Sequence, residues 1–301
     1  MMERAGKKVY LVSALAVILW GMSYIWTDRL IDAGIPVMYF VPVRIFLAGL
    51  FLLLINAISG KLVAIARKDI PKFLLLALFE PLLYFLAESY GIKETGSPTL
   101  SAMIIATIPI FSVIAGNVLF REKINMVNAV GIMLSMGGIC LVVMCKGRPG
   151  PNCVLGIALL LAAVLSEVGH ASVTKKLSGK YDSMNIVMYQ FLIGSAYLLP
   201  LFLAYGLKDF GPHFVSKEAV VPILCLAILC SSLAFSLWVN TIKHLGVSKS
   251  GIFTAMIPVA AAIVAWLSGH EALLPRQWAG IAISTAGVIL SQYTFKGKIR
   301  K

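Results

Sequence analysis

Charge is scarce in this sequence. Only 13% of its 301 residues are Asp, Glu, Lys or Arg, against 59% hydrophobic. A soluble domain carries about 25% charged and about 45–50% apolar residues. So little polar material could not cover so large a core in water, and the mean hydropathy of +0.91 names lipid as the solvent. Acid is the scarcest charge, with 13 Asp and Glu against 26 Lys and Arg. On a soluble chain a formal charge of +13 would raise nucleic-acid binding. Here the basic residues mostly fill short gaps between apolar runs, so they read as topology markers and no nucleic-acid partner is expected. Cysteine is sparse too. Cys140, Cys145, Cys153, Cys225 and Cys230 lie in or beside apolar runs and form no CxxC pair, as small buried side chains do. No HExxH, GxGD or GxSxG occurs, which disfavours an intramembrane enzyme. No GxxxxGK[ST] occurs, so this chain consumes no ATP, and no cofactor is expected. There is no filter loop of the kind a channel carries, and no ten-residue alternation of the barrel type.

What the sequence has is long apolar runs. A helix crossing about 30 Å of hydrocarbon needs roughly 20 apolar residues, and backbone in lipid must bond within its own segment. Ten segments qualify: Val9–Thr27, Pro36–Ile58, Pro71–Tyr90, Thr99–Phe120, Met126–Cys145, Val154–Val173, Asn185–Tyr205, Ala219–Ile242, Val247–Ser268 and Arg276–Tyr293. The first follows Arg4, Lys7 and Lys8 but lacks a small-x-small cleavage site, so it reads as a retained helix. With the N-terminus inside, 18 of the 26 Lys and Arg fall on inner segments and 7 on outer loops, with Arg44 inside a helix. That bias predicts two cytoplasmic termini.

The chain also repeats itself at an offset of 149. Ser101 maps to Ser250, Ile108-Pro109 to Ile257-Pro258, Glu122 to Glu271, Gly131 to Gly280, Ser135 to Ser284 and Gly138 to Gly287, without a gap. Two copies, 1–146 and 147–301, hold five predicted helices each. Five is odd, so the second copy enters the membrane upside down. The predicted fold class is an all-α membrane protein of ten helices in two inverted repeats. Inverted repeats are the architecture of many secondary transporters, which bind substrate near the midplane between the halves.

This pattern resembles the EamA-type members of the drug/metabolite transporter superfamily. The residues that carry the resemblance are Trp20-Gly21, Arg44, Ile108-Pro109 with Glu122 and Gly131, and Ile257-Pro258 with Glu271 and Gly280. The second copy has Gly169-His170 where Trp20-Gly21 would recur, and Ile193 where Arg44 would. The resemblance implies ten helices around a central cavity and export of amino acids, related metabolites or toxic compounds.

Several polar residues stand where lipid would penalise them. Arg44 lies about 12 Å below the outer surface and Glu80 about 14 Å from the inner one. A charge at the bilayer centre costs about 2.5–3.5 kcal/mol, so the two are expected to pair, as a structural lock or as a substrate or gating pair. Glu80, Tyr84 and Glu88 fall at i, i+4 and i+8, one stripe along a regular helix. Pro81 removes a backbone donor beside Glu80, where a kink is expected. Glu167 and His170, at i and i+3 with Thr174 one turn on, form a proton-relay candidate or a buried hydrogen-bonded pair. Two ligands do not make a metal site, so none is expected. Trp20 and Tyr24 share a face that could pack an apolar substrate group, while Trp26 reads as an interfacial aromatic; Trp238 and Phe235 cluster late in predicted helix 8. Pro109 and Pro258 interrupt matched helices and mark a binding region or hinge. Gly131 with Gly138, and Gly280 with Gly287, allow close helix approach, within the fold or between subunits, so monomer and homodimer both stay open. Glu122 and Glu271 precede predicted helices 5 and 10, where a carboxylate favours the dipole's positive end. The expected partners are a small-molecule substrate and the bilayer of a bacterial inner membrane. The substrate class reads as amino acids or related metabolites, with nucleobases, sugars and cationic drugs as alternatives.

Overall fold

The computed structural model describes residues 2–95, 104–122, 125–143, 153–208, 210–267 and 274–291. Every regular element among them is helical. In chain order they are α1 (Met2–Asp32), α2 (Val37–Ile58), α3 (Ile70–Ala77), α4 (Tyr84–Thr95), α5 (Ile108–Phe120), α6 (Met126–Val143), α7 (Cys153–Ser178), α8 (Ser183–Leu201), α9 (Lys217–Cys225), α10 (Ala234–Thr254), α11 (Ile257–Leu267) and α12 (Pro275–Ser291). Among the described residues, five stretches are long and apolar enough to cross a membrane: Val37–Ile58, Arg67–Gly91, Val154–Ser178, Ser183–Gly206 and Lys217–Thr254. Lys8–Ser23, Ile108–Phe120 and Met126–Gly138 are shorter apolar helices. Large side chains such as Phe46, Ile58, Leu165 and Ile289 lie exposed on the outside, as lipid-facing positions do.

Proline shapes these helices. Leu78–Leu83 contains Pro81, Phe202–Gly206 follows Pro200, and Leu226–Leu233 follows Pro222; each is a run of widened π turns. A proline withdraws one N–H and crowds the preceding turn, so the ladder slips by a residue. The sharpest interruption is at Glu80, whose φ of −146° and ψ of 124° are those of an extended strand. Neighbouring helices satisfy the carbonyls this exposes. Ser166 Oγ donates to the Phe79 carbonyl at 2.6 Å, and Gln190 Nε2 to the Glu80 carbonyl at 3.0 Å. Two glycines make room: a Cβ at Gly169 would lie 2.8 Å from the Phe79 ring, and one at Gly194 would strike Pro81.

α6 and α12 pack backbone against backbone. Gly131 lies against Gly287 and Ser291, and Gly138 against Gly280 and Ser284. The helices therefore run antiparallel, and each glycine meets the repeat equivalent of the other. Ser135 and Ser284, 149 residues apart, face each other with hydroxyls at 3.3 Å. That is the signature of an internal two-fold axis crossing this helix pair.

The largest core cluster joins α2, α3, α8 and the α9–α10 segment around Phe40, Phe73, Phe191 and Phe235. A polar tie closes one end of it. Asp69 binds Lys72 at 2.9 Å, the Tyr181 hydroxyl at 2.9 Å and Lys180. Asn185 holds both the Lys61 carbonyl and the Val63 N–H.

Candidate functional site

The break at Glu80 turns its carboxylate away from α4 and into the bundle. A continuous helix would set Glu80, Tyr84 and Glu88 in one stripe; the extended backbone at Glu80 removes Glu80 from it. Tyr84 and Glu88 remain together, with a 2.9 Å hydrogen bond from the Tyr84 hydroxyl to Glu88 Oε1. Glu80 meets α7 instead: its Oε2 lies 3.1 Å from His170 Nδ1, and Glu167 Oε2 lies 3.4 Å from the same nitrogen. All three residues are buried, His170 completely.

Gln190 and Thr174 both contact the histidine at Nε2. Gln190 Nε2 donates to the Glu80 carbonyl, so its Oε1 is the atom 3.3 Å from His170 Nε2. An amide oxygen accepts, so the Gln190 contact favours the tautomer with a hydrogen on Nε2. A neutral ring would then aim the Nδ1 lone pair towards two carboxylates. A shared positive particle removes that repulsion. The count of two ligands along α7 becomes three in space, because Glu80 brings its donor atom within 4.8 Å of the others.

Arg44 is also buried, but it makes no ion pair with Glu80. Its guanidinium sits 4.6 Å over the Phe85 ring, in the field of Glu88 and Glu80. The pairing expected from depth fails because the break rotates Glu80 towards His170. Cation–π contact and long-range attraction hold the arginine in its place.

An aromatic wall adjoins this charge cluster. Trp20 stands edge-on to Phe235 at 5.0 Å and to Trp238 at 5.1 Å, and its indole N–H donates to the Cys230 carbonyl. Phe235 also meets His170 at 6.3 Å and Phe191 at 5.2 Å. Trp238 is buried and its indole N–H has no hydrogen-bond partner. Trp26 packs against the buried core, not only the interface. The Tyr24 side chain lies outside the described residues, as does Glu271. Pro109 and Pro258 sit in the first turns of α5 and α11, each preceded by a non-helical turn. Matched helices are thus interrupted at the same place in both copies.

A second polar centre was not legible in the chain. At Gly246 α10 breaks, with φ 85° and ψ 177°. Glu122 accepts hydrogen bonds from the freed Val247 and Ser248 N–H groups at 2.9 and 2.8 Å. Lys175 donates to the Ile242 and Lys243 carbonyls on the other side of the break. Glu122 therefore does not serve α6, as its place in the sequence suggests. Asn125 and Asn128 cap α6 reciprocally, each side chain accepting from the other's N–H. Arg121, in the left-handed region at φ 55°, turns Glu122 back towards α10. A cavity of about 500 Å³ opens here, lined by Glu122, Lys175, His244, Gly246, Ser248 and Lys249 among others.

Two antiparallel equivalents meeting on a two-fold axis suit an inverted-repeat carrier, and comparison with known proteins settles the family. The chain matches the EamA-like transporter family twice, over residues 7–144 and 154–293. It belongs to that family. It is 27% identical to the uncharacterised transporter YetK of Bacillus subtilis over 296 residues, covering 96% of this chain and 87% of that one. It is 25% identical over 240 residues to a probable terminal-alkyne amino-acid exporter of Streptantibioticus cattleyicolor, covering 78% and 77%. It is 22% identical over 302 residues to a probable amino-acid metabolite efflux pump of Salmonella typhimurium, covering 95% of each. A crystal structure with 16% identity shares the fold, at a TM-score of 0.81 over 94% of this chain and 96% of that one. The chain is an integral membrane protein of a transporter family.

Proposed function

We propose that this EamA-family protein is a secondary active exporter of amino acids or related small metabolites, working by alternating access in a bacterial inner membrane. Its two five-helix halves, 1–146 and 147–301, would place ten helices across the bilayer with both termini in the cytoplasm. The observation that carries the reading is the buried Glu80–His170–Glu167 cluster at a broken helix, beside Arg44 and the Trp20–Phe235–Trp238 wall. A zwitterion needs an acid for its ammonium, a base for its carboxylate and an apolar surface for its side chain. Arg44 supplies the cation, the carboxylates the anions and the wall the surface. The names of the amino-acid exporter and the amino-acid metabolite efflux pump described above point the same way.

The cluster also gives a coupling device. Two carboxylates, of Glu80 and Glu167, face the one nitrogen His170 Nδ1, so a proton shared among the three would relieve the repulsion between them. The charged and titratable groups around this proton are Glu80 from the break, Glu88 from α4, Glu167 from α7 and Arg44 from α2. α8 contributes neutral Gln190, and α10 contributes only Phe235. Proton binding would thus alternate with substrate in a site that cannot bear two uncompensated carboxylates.

The test is uptake of a radiolabelled amino-acid panel by proteoliposomes, with and without a pH gradient, against empty liposomes. Saturable uptake that responds to the gradient is expected, with the response lost in Glu80→Gln and His170→Asn proteins that remain monodisperse. No uptake of any panel member by folded protein, in either gradient direction, would sink the amino-acid reading. Nucleobases and cationic drugs would then be the next panel.

A further inference from the structure

Glu167 and His170 stand at i and i+3 on α7, so both project from one helix face. Glu80 joins them from the extended backbone beside Pro81. One donor atom from each residue lies within 4.8 Å of the other two.

Two of these atoms lack what buried polar atoms need. Glu80 Oε2 and His170 Nδ1 have no hydrogen-bond partner, although they stand 3.1 Å apart. Their residues are 3% and 0% exposed. A hydrogen bond needs its hydrogen near the line between the two heavy atoms, and this contact lacks that alignment. A metal ion has the opposite requirement, because it sits off that line at a similar distance from both atoms. Atoms bound at about 2.0–2.1 Å to one tetrahedral ion stand roughly 3.3–3.4 Å apart. The separations from Nδ1 are 3.1 Å to Glu80 Oε2 and 3.4 Å to Glu167 Oε2.

The surroundings fit an ion as well. A ligating histidine gives its other ring N–H to an oxygen that fixes the tautomer, and Gln190 Oε1, 3.3 Å from Nε2, is placed to take it. Gln190 also holds the Glu80 carbonyl, so one side chain orients two of the ligands. One divalent ion neutralises two carboxylates, where one proton leaves a charge over. The other charged groups nearby, Glu88 on α4 and Arg44 on α2, have opposite signs. The imidazole decides the kind of ion, since magnesium and calcium take oxygen ligands while zinc takes nitrogen together with oxygen. Glu167, whose side chain is 9% exposed, is the most open of the three.

We propose that Glu80 Oε2, Glu167 Oε2 and His170 Nδ1 form a binding site for one divalent cation of the zinc class, with a fourth position left for water or a solute. Three protein ligands and one open position are the pattern of a zinc site that takes up a further ligand. The site stands without the transport reading above; within that reading, the ion and the shared proton are alternative occupants of the same atoms.

Equilibrium dialysis of purified, tag-free, chelator-stripped protein against zinc tests it, with the metal counted per chain. One zinc ion per chain is expected, and excess magnesium should not displace it. The melting temperature should rise with zinc, as it does for any ligand that binds only the folded state. Glu80→Gln, Glu167→Gln and His170→Asn should each weaken zinc binding at least about tenfold, since a site of three ligands would keep two. His244→Asn, an exposed histidine outside the cluster, should leave it unchanged. Cobalt in the wild-type protein gives a second reading that needs no substitution: a four-coordinate ion absorbs visible light strongly and a six-coordinate one weakly. Strong absorption that zinc abolishes is expected. Absence of zinc from folded wild-type protein would overturn the proposal, as would zinc binding unchanged in all three variants or weak cobalt absorption alone. Proton-driven uptake by a protein that binds no zinc removes this site alone. Zinc binding by a protein that transports no amino acid keeps the site and removes the transport reading.

Discussion

Two adjacent glycines in α6 should respond to alanine with opposite signs. Gly138 lies in the α6–α12 crossing. A Cβ there would stand 2.6 Å from the Gly280 carbonyl oxygen and 2.7 Å from the Ser284 Cα. These are backbone atoms, so no rotamer change relieves the clash. Carbon atoms rest at about 3.5–4.0 Å, so the helices must part by about 1 Å along a seam that small residues keep closed. Overpacking of this kind costs about 1–3 kcal/mol, and the parting also stretches the Ser135–Ser284 contact and the 2.6 Å bond from Asn128 to the Ser291 carbonyl. Gly137 is one residue away, and a Cβ there meets nothing within 4 Å. Its alanine variant loses no packing and gains about 0.5–1 kcal/mol of helix preference. The assay is thermal unfolding of each purified variant in one detergent, followed by intrinsic tryptophan fluorescence. Gly137→Ala should melt at or slightly above wild type, and Gly138→Ala several degrees below it. Equal melting temperatures, or a larger loss at Gly137, would refute the axis described at this helix pair.

Other consequences are as direct. Gln190→Leu removes the donor from the Glu80 carbonyl and leaves His170 Nε2 only its longer contact with the Thr174 hydroxyl; stranding the buried carbonyl costs about 1–3 kcal/mol, which a chemical-denaturation midpoint will show. Tyr181→Phe deletes one hydroxyl that binds both Asp69 and the Ala66 N–H, and should lower stability by about 1–3 kcal/mol, read in the same way. Asp69 raises the Lys180 ammonium above its ordinary value, chiefly through their hydrogen bond. A raised folded-state value stabilises fully below the ordinary lysine range of about 10.4 and is lost as pH rises through the raised value. Wild-type melting should therefore decline on that alkaline limb, and Asp69→Asn should decline less there.

The break at Pro81 could be read from one residue, because proline withdraws its donor wherever it stands in a helix. Where the break aims Glu80 could not. Gly169, Gly194, Ser166 and Gln190 decide that, and they lie on α7 and α8, far along the chain. The same division runs through the site. Glu167 and His170 were visible as neighbours because they share one helix face; Glu80 joins them across 87 and 90 residues of chain. Arg44 and Glu80 matched in depth, yet depth alone does not choose a partner. For Glu122, position before α6 suggested a local cap, and the Asn125–Asn128 pair had already filled that role. What draws Glu122 past it is the break at Gly246, whose positive φ only the structure shows.

Family, helical class and internal repeat were determined by the sequence alone, because each depends on short-range properties. Apolar run length answers to bilayer thickness, and a gapless offset of 149 survives without any knowledge of contacts. Tertiary structure decided which charges meet. A buried charge seeks its partner through space, in a medium that penalises every unpaired group, and the nearest such partner is fixed by how breaks, glycines and crossing helices orient side chains. That orientation is long-range packing, and it is written in no single stretch of this chain.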